Sequence, residues 1–235
     1  METDRKKMTI IEHLEELRRR IIISFLALIF FSVVCYFISP RILEAVHRSL
    51  PGVDFLIFTS LGEAFWVTIK IAVYAGVVLA LPVVLWEIWA FISPALEGKE
   101  KILVGSLLPF MYFLFISGLA FAFFVALPWT VKFFMSYAHA DLKAFISIDS
   151  YISFLFSLGF TFGLVFQFPL LILLLVKLGL IRVELLRRYR KYAILIVFLA
   201  VGFLPWVNDI VSQIIMAVPM IILYELGILL AVIFK

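Results

Sequence analysis

Five of the sixteen acids of this chain fall in two short stretches that could do ionic chemistry. Glu12, Glu15 and Glu16 follow Thr9, and Glu97 and Glu100 close a segment reading Phe91-Ile-Ser-Pro94-Ala-Leu96-Glu-Gly-Lys-Glu100. Glu12 and Glu16 stand four residues apart and repel, whereas Glu16 and Arg20 can attract across one helical turn. On residue chemistry alone two readings stay open for Glu16: an ordinary solvated helix face, or an acid that receives a cation. For Glu100 the simple reading is a local pair with Lys101, and a binding role is the other. His13, His47 and His139 lie on different segments and Cys35 is the single cysteine, so neither a metal site nor a catalytic cluster is expected. A Gly-rich phosphate loop, HExxH and GxSxG are all missing from the sequence. The expectation is therefore no enzymatic activity and no cofactor.

Three more polar residues interrupt apolar runs: Glu87, Gln167 and Glu225. An ionisable group within a membrane span is a functional candidate by default. Glu87 and Glu225 fall toward one end of their runs, where partial solvation or protonation would account for them. Gln167 falls about 15 Å from the nearer end of its run by helical rise. Gln167-Phe-Pro169 predicts a kink, with the amide available to freed carbonyls. Packing and a substrate contact both remain open for Gln167.

These residues need elements to hold them, and the composition says which kind. Of 235 residues 65% are hydrophobic and 15% charged, with 26 Phe and a mean hydropathy of +1.18. Soluble domains carry roughly 25% charged residues, so this chain reads as a membrane protein. A helix needs about 20 apolar residues to cross about 30 Å of hydrocarbon. The runs predict spans at about 21–39, 65–93, 102–131, 151–176, 193–207 and 210–234, in one integral membrane domain over residues 1–235. They lack the alternation of barrel strands and must be helices, since lipid offers the backbone no partner. Pro40 is expected to end the first span, with a short helix at 42–50 beyond it. Thr9-Ile-Ile-Glu12 reads as a capping box. It opens an amphipathic segment, 1–20, expected to lie along the membrane surface before the chain turns inward.

Basic residues orient the bundle. Fifteen of the twenty fall in the N-terminal segment, the gaps after spans two and four, and the C-terminus. By the positive-inside rule those gaps are cytosolic. Lys70, inside span two, is expected to snorkel toward the opposite surface. The fold expected is an all-α polytopic membrane protein with six transmembrane helices, both termini inside, and short fifth and sixth spans. The fifth covers only about 22 Å, and Pro205, Trp206, Asn208 and Asp209 make the turn between the two. Either the bilayer thins there or the hairpin stops short of the outer surface.

Several ordered stretches resemble one family. His13-Leu-Glu-Glu16-Leu-Arg18 is similar to the HLxELR signature of the TatC family, the multispanning core of twin-arginine protein translocases. Leu81-Pro-Val-Val-Leu85, Trp89-Ala-Phe-Ile-Ser-Pro-Ala-Leu96 with Glu100, Phe162-Gly-Leu-Val-Phe-Gln-Phe-Pro169, and Asp209-Ile-Val-Ser-Gln213 with Pro219 and Glu225 follow in family order. The resemblance implies a receptor for twin-arginine signal peptides of folded cargo. Glu16 and Glu100 occupy the positions that receive the paired arginines, and a guanidinium fork suits a carboxylate. Arg18, Phe91 and Pro94 complete the implied signal-peptide site, with a concave membrane face for the apolar stretch. Gln167, Glu225 and Asp209 are implied intramembrane or partner-facing polar positions. Many family members carry glutamate where Gln167 stands, which removes any charge from that position here. Single-span partners of the TatA/TatB type, the lipid bilayer and self-association are expected, and no nucleic acid. The location expected is the cell membrane.

Two other classes make different demands of the sequence. A secondary transporter of a small solute predicts repeat-related charged sites at the midplane, and Gln167 has no counterpart in the other half of the chain. A membrane enzyme needs a clustered catalytic constellation.

Overall fold

The computed structural model describes residues 10–48, 57–95, 98–136, 145–204, 207 and 209–233. They form α1 (Ile10–Arg48), α2 (Glu63–Ile92), α3 (Gly98–Phe121), α4 (Leu127–Met135), α5 (Ile148–Val165), α6 (Phe168–Lys177), α7 (Val183–Arg188), α8 (Arg190–Gly202) and α9 (Ile210–Ile233). Five helical stretches are long and apolar enough to cross a membrane: Ile11–Val46, Glu63–Ile92, Gly98–Met135, Ile148–Lys177 and Ile210–Ile233. The chain is an all-α polytopic membrane protein. Below, the near end of the bundle is the one holding the start of α1 and the end of α2.

The first helix departs from expectation. Residues 10–20 of the amphipathic segment, the first span and residues 42–48 of the short helix expected beyond it are one continuous 39-residue helix, with Pro40 inside it; Thr9 of the capping box lies outside the described residues. At about 1.5 Å per residue it is about 58 Å long. Pro40 has no N–H for the carbonyl of Tyr36, four residues back. The Ser39 hydroxyl donates to that carbonyl instead, at 2.7 Å. A repaired proline need not stop a helix.

The third run stays continuous by a different device. A π-helical turn, Ala122–Ala126, joins α3 to α4, and the Leu127 N–H donates to Ala122 O, five residues back. The widened turn sits just ahead of Pro128, which lacks a donor of its own. The fourth run breaks at Phe166 and Gln167, ahead of Pro169, as the sequence predicts. The segment expected as the fifth span is α8, of 13 residues, reaching about 20 Å. The sixth is not short: α9 has 24 residues, or about 36 Å, so only one arm of the hairpin is truncated. Pro205, Trp206 and Asn208, expected in the turn, lie outside the described residues, as do Leu96, Glu97, His139 and Lys143.

Packing follows the apolar side chains and the small residues. α1 lies along α2, α3 along α5, and α9 along α6 and α8. The main core, with Val67, Ile71, Ile152, Leu158, Phe162 and Met216 all but sealed, draws on α2, the π-turn and α4, α5, α8 and α9. α1 touches chiefly α2 and leaves Phe25, Phe30 and Phe37 exposed, as a lipid-facing helix does. Small residues let backbones approach. At Gly76 a Cβ would lie 2.7 Å from Ser32 Cα, and at Gly118 it would lie 2.8 Å from the Phe162 carbonyl carbon. Overpacking of this kind typically costs about 1–3 kcal/mol. Gly118→Ala is therefore expected to lower the thermal midpoint in detergent by that equivalent. Gly98→Ala, where nothing lies within 4 Å, should leave it unchanged.

Candidate functional site

At the near end, α1 and α2 meet in an ion cluster. Glu16 and Arg20 stand one turn apart on α1, and Glu87 projects from α2. Arg20 Nε donates to Glu16 Oε1 at 3.0 Å, Nη2 donates to the same oxygen, and Nη1 donates to Glu87 Oε2 at 3.0 Å. The side chains are 23%, 17% and 13% exposed for Arg20, Glu16 and Glu87. Charges so far withdrawn from water persist only when paired. Glu16 Oε2 is buried and accepts no hydrogen bond. His13 Nδ1 stands 4.0 Å from that oxygen, beyond hydrogen-bond reach, and its ring is stacked on Phe91 at 4.3 Å.

Two concavities adjoin the cluster. One, of about 640 Å³, is polar and lined by Glu12, Glu15, Glu16, Arg19, Arg20, Ile23 and Glu87. The other, of about 410 Å³, is apolar and lined by Leu17, Ile21, Phe25, Leu28, Val84, Ile88 and Phe91 among others. Arg20 and Glu87 wall both. A ligand that carries a cation next to an apolar stretch could use the two together.

The expected site residues are only partly gathered here. Glu16 is central and Phe91 borders the apolar concavity. Arg18 is exposed on α1 and Pro94 is exposed in the short 3-10 turn after α2. Glu100 is partly buried in the first turn of α3 and lines neither concavity. Lys101 turns toward Trp89, with Nζ 6.0 Å from the ring centre. Glu87, expected to be explained by its place at the end of its run, is held by Arg20 of α1. Its partner is 67 residues distant, but a cation and an anion at matching ends of neighbouring spans were the available signal.

The other polar candidates each have at least one partner, although Gln167 Oε1 and Asp209 Oδ2 accept no hydrogen bond. Gln167 Nε2 donates to Met111 O on α3 at 3.0 Å and more weakly to Gly163 O at 3.4 Å. Its amide thus repairs the kink and ties α3 to the fourth run, beside an apolar cavity of about 210 Å³ between α2, α3 and α6. Glu225 pairs with Arg190 of α8 at 2.8 Å. Asp209 is the N-cap of α9, its Oδ1 accepting from Ser212 N at 2.7 Å.

A second polar cluster, at the far end, escaped the sequence reading. Glu63, 5% exposed, accepts from Thr59 N and Oγ1, Ser60 N, Ser147 Oγ and Asp149 N. Lys70 does not simply snorkel: its Nζ donates to Asp149 Oδ1 and to Ser153 Oγ. Ile57 N donates to Ile146 O, and Ile148 N to Ile57 O, both at 3.1 Å. Together these contacts fasten the segment before α2 to the start of α5. Among the described residues no group of three His, Cys, Asp or Glu could hold a metal ion.

Residues 12–219 match the family described as Sec-independent protein translocase protein (TatC). The chain belongs to the TatC family. It is 37% identical to the Sec-independent protein translocase protein TatC of Carboxydothermus hydrogenoformans over 227 residues, covering 96% of this chain and 93% of that one. The TatC protein of Aquifex aeolicus is 37% identical over 234 residues, covering 95% and 94%. A crystal structure of the twin-arginine translocase receptor TatC superposes with a TM-score of 0.80 at 36% identity, covering 94% of this chain and 99% of that one. A second, in the detergent DDM, gives 0.82 at 35% identity. As a TatC protein the chain is a multi-pass membrane protein, and the ion cluster of α1 and α2 lies within the matched region.

The far-end cluster yields a structural expectation. Glu63→Ala removes the acceptor that two backbone amides before α2 and one at the start of α5 share. Hydrogen exchange should quicken at Thr59, Ser60 and Asp149, while amides around Glu16 exchange as in the unaltered protein.

Proposed function

We propose that this chain is the receptor subunit of a twin-arginine translocase, binding signal peptides of folded cargo and helping export that cargo independently of Sec. The observation that carries this is the polar pocket at Glu16 adjoining an apolar concavity across shared walls, Arg20 and Glu87. A signal of this kind joins a dibasic element to an apolar stretch. Its guanidinium forks suit carboxylates in partly desolvated surroundings. Glu16 receives one arginine, and Glu100 the other. Phe91, stacked on His13, shapes the passage between them, and Pro94 and Arg18 border it.

The role is non-enzymatic: cargo moves, and no bond in it is made or broken. The basic gaps support an arrangement of six spans with both termini cytosolic, α8 serving as a short fifth span and residues 1–235 forming one membrane domain. The signal is then read from the cytosol. Single-span partners of the TatA/TatB type approach the polar positions within the membrane, Gln167 among them, and copies of the chain associate with one another. Gln167 contributes a hydrogen-bonding amide rather than a charge. Asp209 and Glu225, already engaged in a helix cap and an ion pair, set the shape of the α8–α9 hairpin that such partners would meet.

Glu16→Ala and Glu100→Ala should each weaken signal-peptide binding while the protein remains inserted and folded. The loss should be larger for an Arg-Arg signal than for a Lys-Lys one. Photocrosslinking from positions 16 and 100 to a signal peptide checks contact directly, and wild-type binding by both variants would refute the site. For Gln167, recovery of the small partner on detergent pull-down should fall in Gln167→Ala and hold in Gln167→Glu. Equal recovery in both would count against a partner contact there.

A further inference from the structure

The cluster that would receive an arginine already contains one. We infer that Arg20 is a resident stand-in for the signal's guanidinium, which the incoming arginine displaces from Glu16 onto Glu87. The inference rests on the reading of Glu16 as a receptor carboxylate. Its basis is the unequal use of that carboxylate. Arg20 Nε and Nη2 converge on Oε1 alone, whereas a full fork would use both oxygens. Oε2 is left buried without a hydrogen bond, an arrangement that costs stability until a donor arrives.

Glu87 makes the exchange possible. It holds Arg20 by Nη1 at 3.0 Å, so Arg20 released from Glu16 need not become an unpaired charge in a partly dry site. The three residues carry two carboxylates against one guanidinium and therefore have room for one further cation. The polar pocket gives that cation a path, since Glu16 and Arg20 both line it. An arriving arginine engages Glu16 as Arg20 shifts toward Glu87, and reaches the buried Oε2 only once that shift has opened it. No proton moves and no covalent bond changes; two guanidinium groups end on two carboxylates.

Arg20 thereby sets a threshold. A ligand must outcompete a tethered guanidinium already in place. An ammonium group, a point charge without the planar fork, does so poorly. The device favours arginine over lysine beyond what Glu16 alone would do.

The test measures binding of a synthetic twin-arginine signal peptide, and its Lys-Lys counterpart, to full-length protein in nanodiscs. Removing the competitor in Arg20→Gln should tighten binding of the Arg-Arg peptide by roughly three- to tenfold, the equivalent of a partly exposed ion pair. The Lys-Lys peptide should gain more, so discrimination narrows. Glu87→Gln strands Arg20 on Glu16 and should weaken binding by a similar factor. The double variant Arg20→Gln/Glu87→Gln should bind as tightly as Arg20→Gln, because no displaced cation then needs a place. Arg20→Lys keeps the charge and helix contacts and should bind between the native protein and Arg20→Gln. Weaker or unchanged binding by Arg20→Gln, in protein whose thermal midpoint matches that of Arg20→Lys, overturns displacement and makes Arg20 a positioning group. Tighter binding by Glu87→Gln overturns it as well. Glu16→Gln separates the two levels: native-like binding there removes the receptor reading itself, whereas lost binding there with no gain in Arg20→Gln removes the displacement alone.

Discussion

Hydrocarbon offers the backbone no hydrogen-bond partner, and every break in a helix here must be repaired from within the protein. Proline supplies the breaks. At Pro40 the carbonyl of Tyr36 is taken by Ser39 Oγ, and at Pro94 the carbonyl of Ala90 is reached by Ser93 Oγ at 3.4 Å. Both are Ser-Pro pairs using the same geometry, yet one lies within a continuing helix and the other ends one. Ahead of Pro128 the repair is a π-turn; ahead of Pro169 it is the amide of Gln167, which reaches across to α3. The last of these turns a local defect into a tertiary tie. It also explains how an amide can hold this position without carrying charge.

Charge obeys the same rule with larger stakes. An ionised group near lipid persists when it finds an opposite charge, and the helix ends are stitched accordingly. Arg20 joins α1 to α2, Lys70 joins α2 to α5, and Arg190 joins α8 to α9. The three bonds differ in burial. Arg190 and Glu225 are nearly half exposed, where such a pair contributes little; Arg20 and its acids are far less so. The least exposed of these pairings lies beside the pocket where a foreign guanidinium would be read.

Hydropathy made the long helices legible because about 20 apolar residues can hardly do anything else, and the ordered motifs made the family legible. What escaped was whatever depends on a distant partner. Pro40 looked like a terminator because the repairing hydroxyl of Ser39 is invisible to a propensity rule. Glu87 looked like a solvated or protonated acid because Arg20 is remote in sequence, and Lys70 looked like a snorkelling cation because Asp149 is more remote still. Glu63, placed just before an apolar run, drew no notice, although its carboxylate gathers donors from two separate segments. The motif residues of the site divide in the same way. Glu16 and Phe91 share one seam, but Glu100 belongs to a different helix, and sequence order alone could not give its position relative to them.

The positive-inside reading puts fifteen of the twenty basic residues on one side of the membrane, and any receptor of a dibasic ligand on that side has to work against them. Long-range repulsion between exposed charges is screened over about 8 Å at physiological salt. Over shorter distances burial decides, because a partly desolvated carboxylate attracts a cation more strongly than solvated cations repel it. Glu16, at 17% exposure, is in that regime. Glu12 and Glu15 extend the negative rim of its pocket, while Arg18 is turned to solvent. Four acids, Glu12, Glu15, Glu16 and Glu87, line that pocket against Arg19 and Arg20, so its local charge is negative in a chain whose net charge is positive.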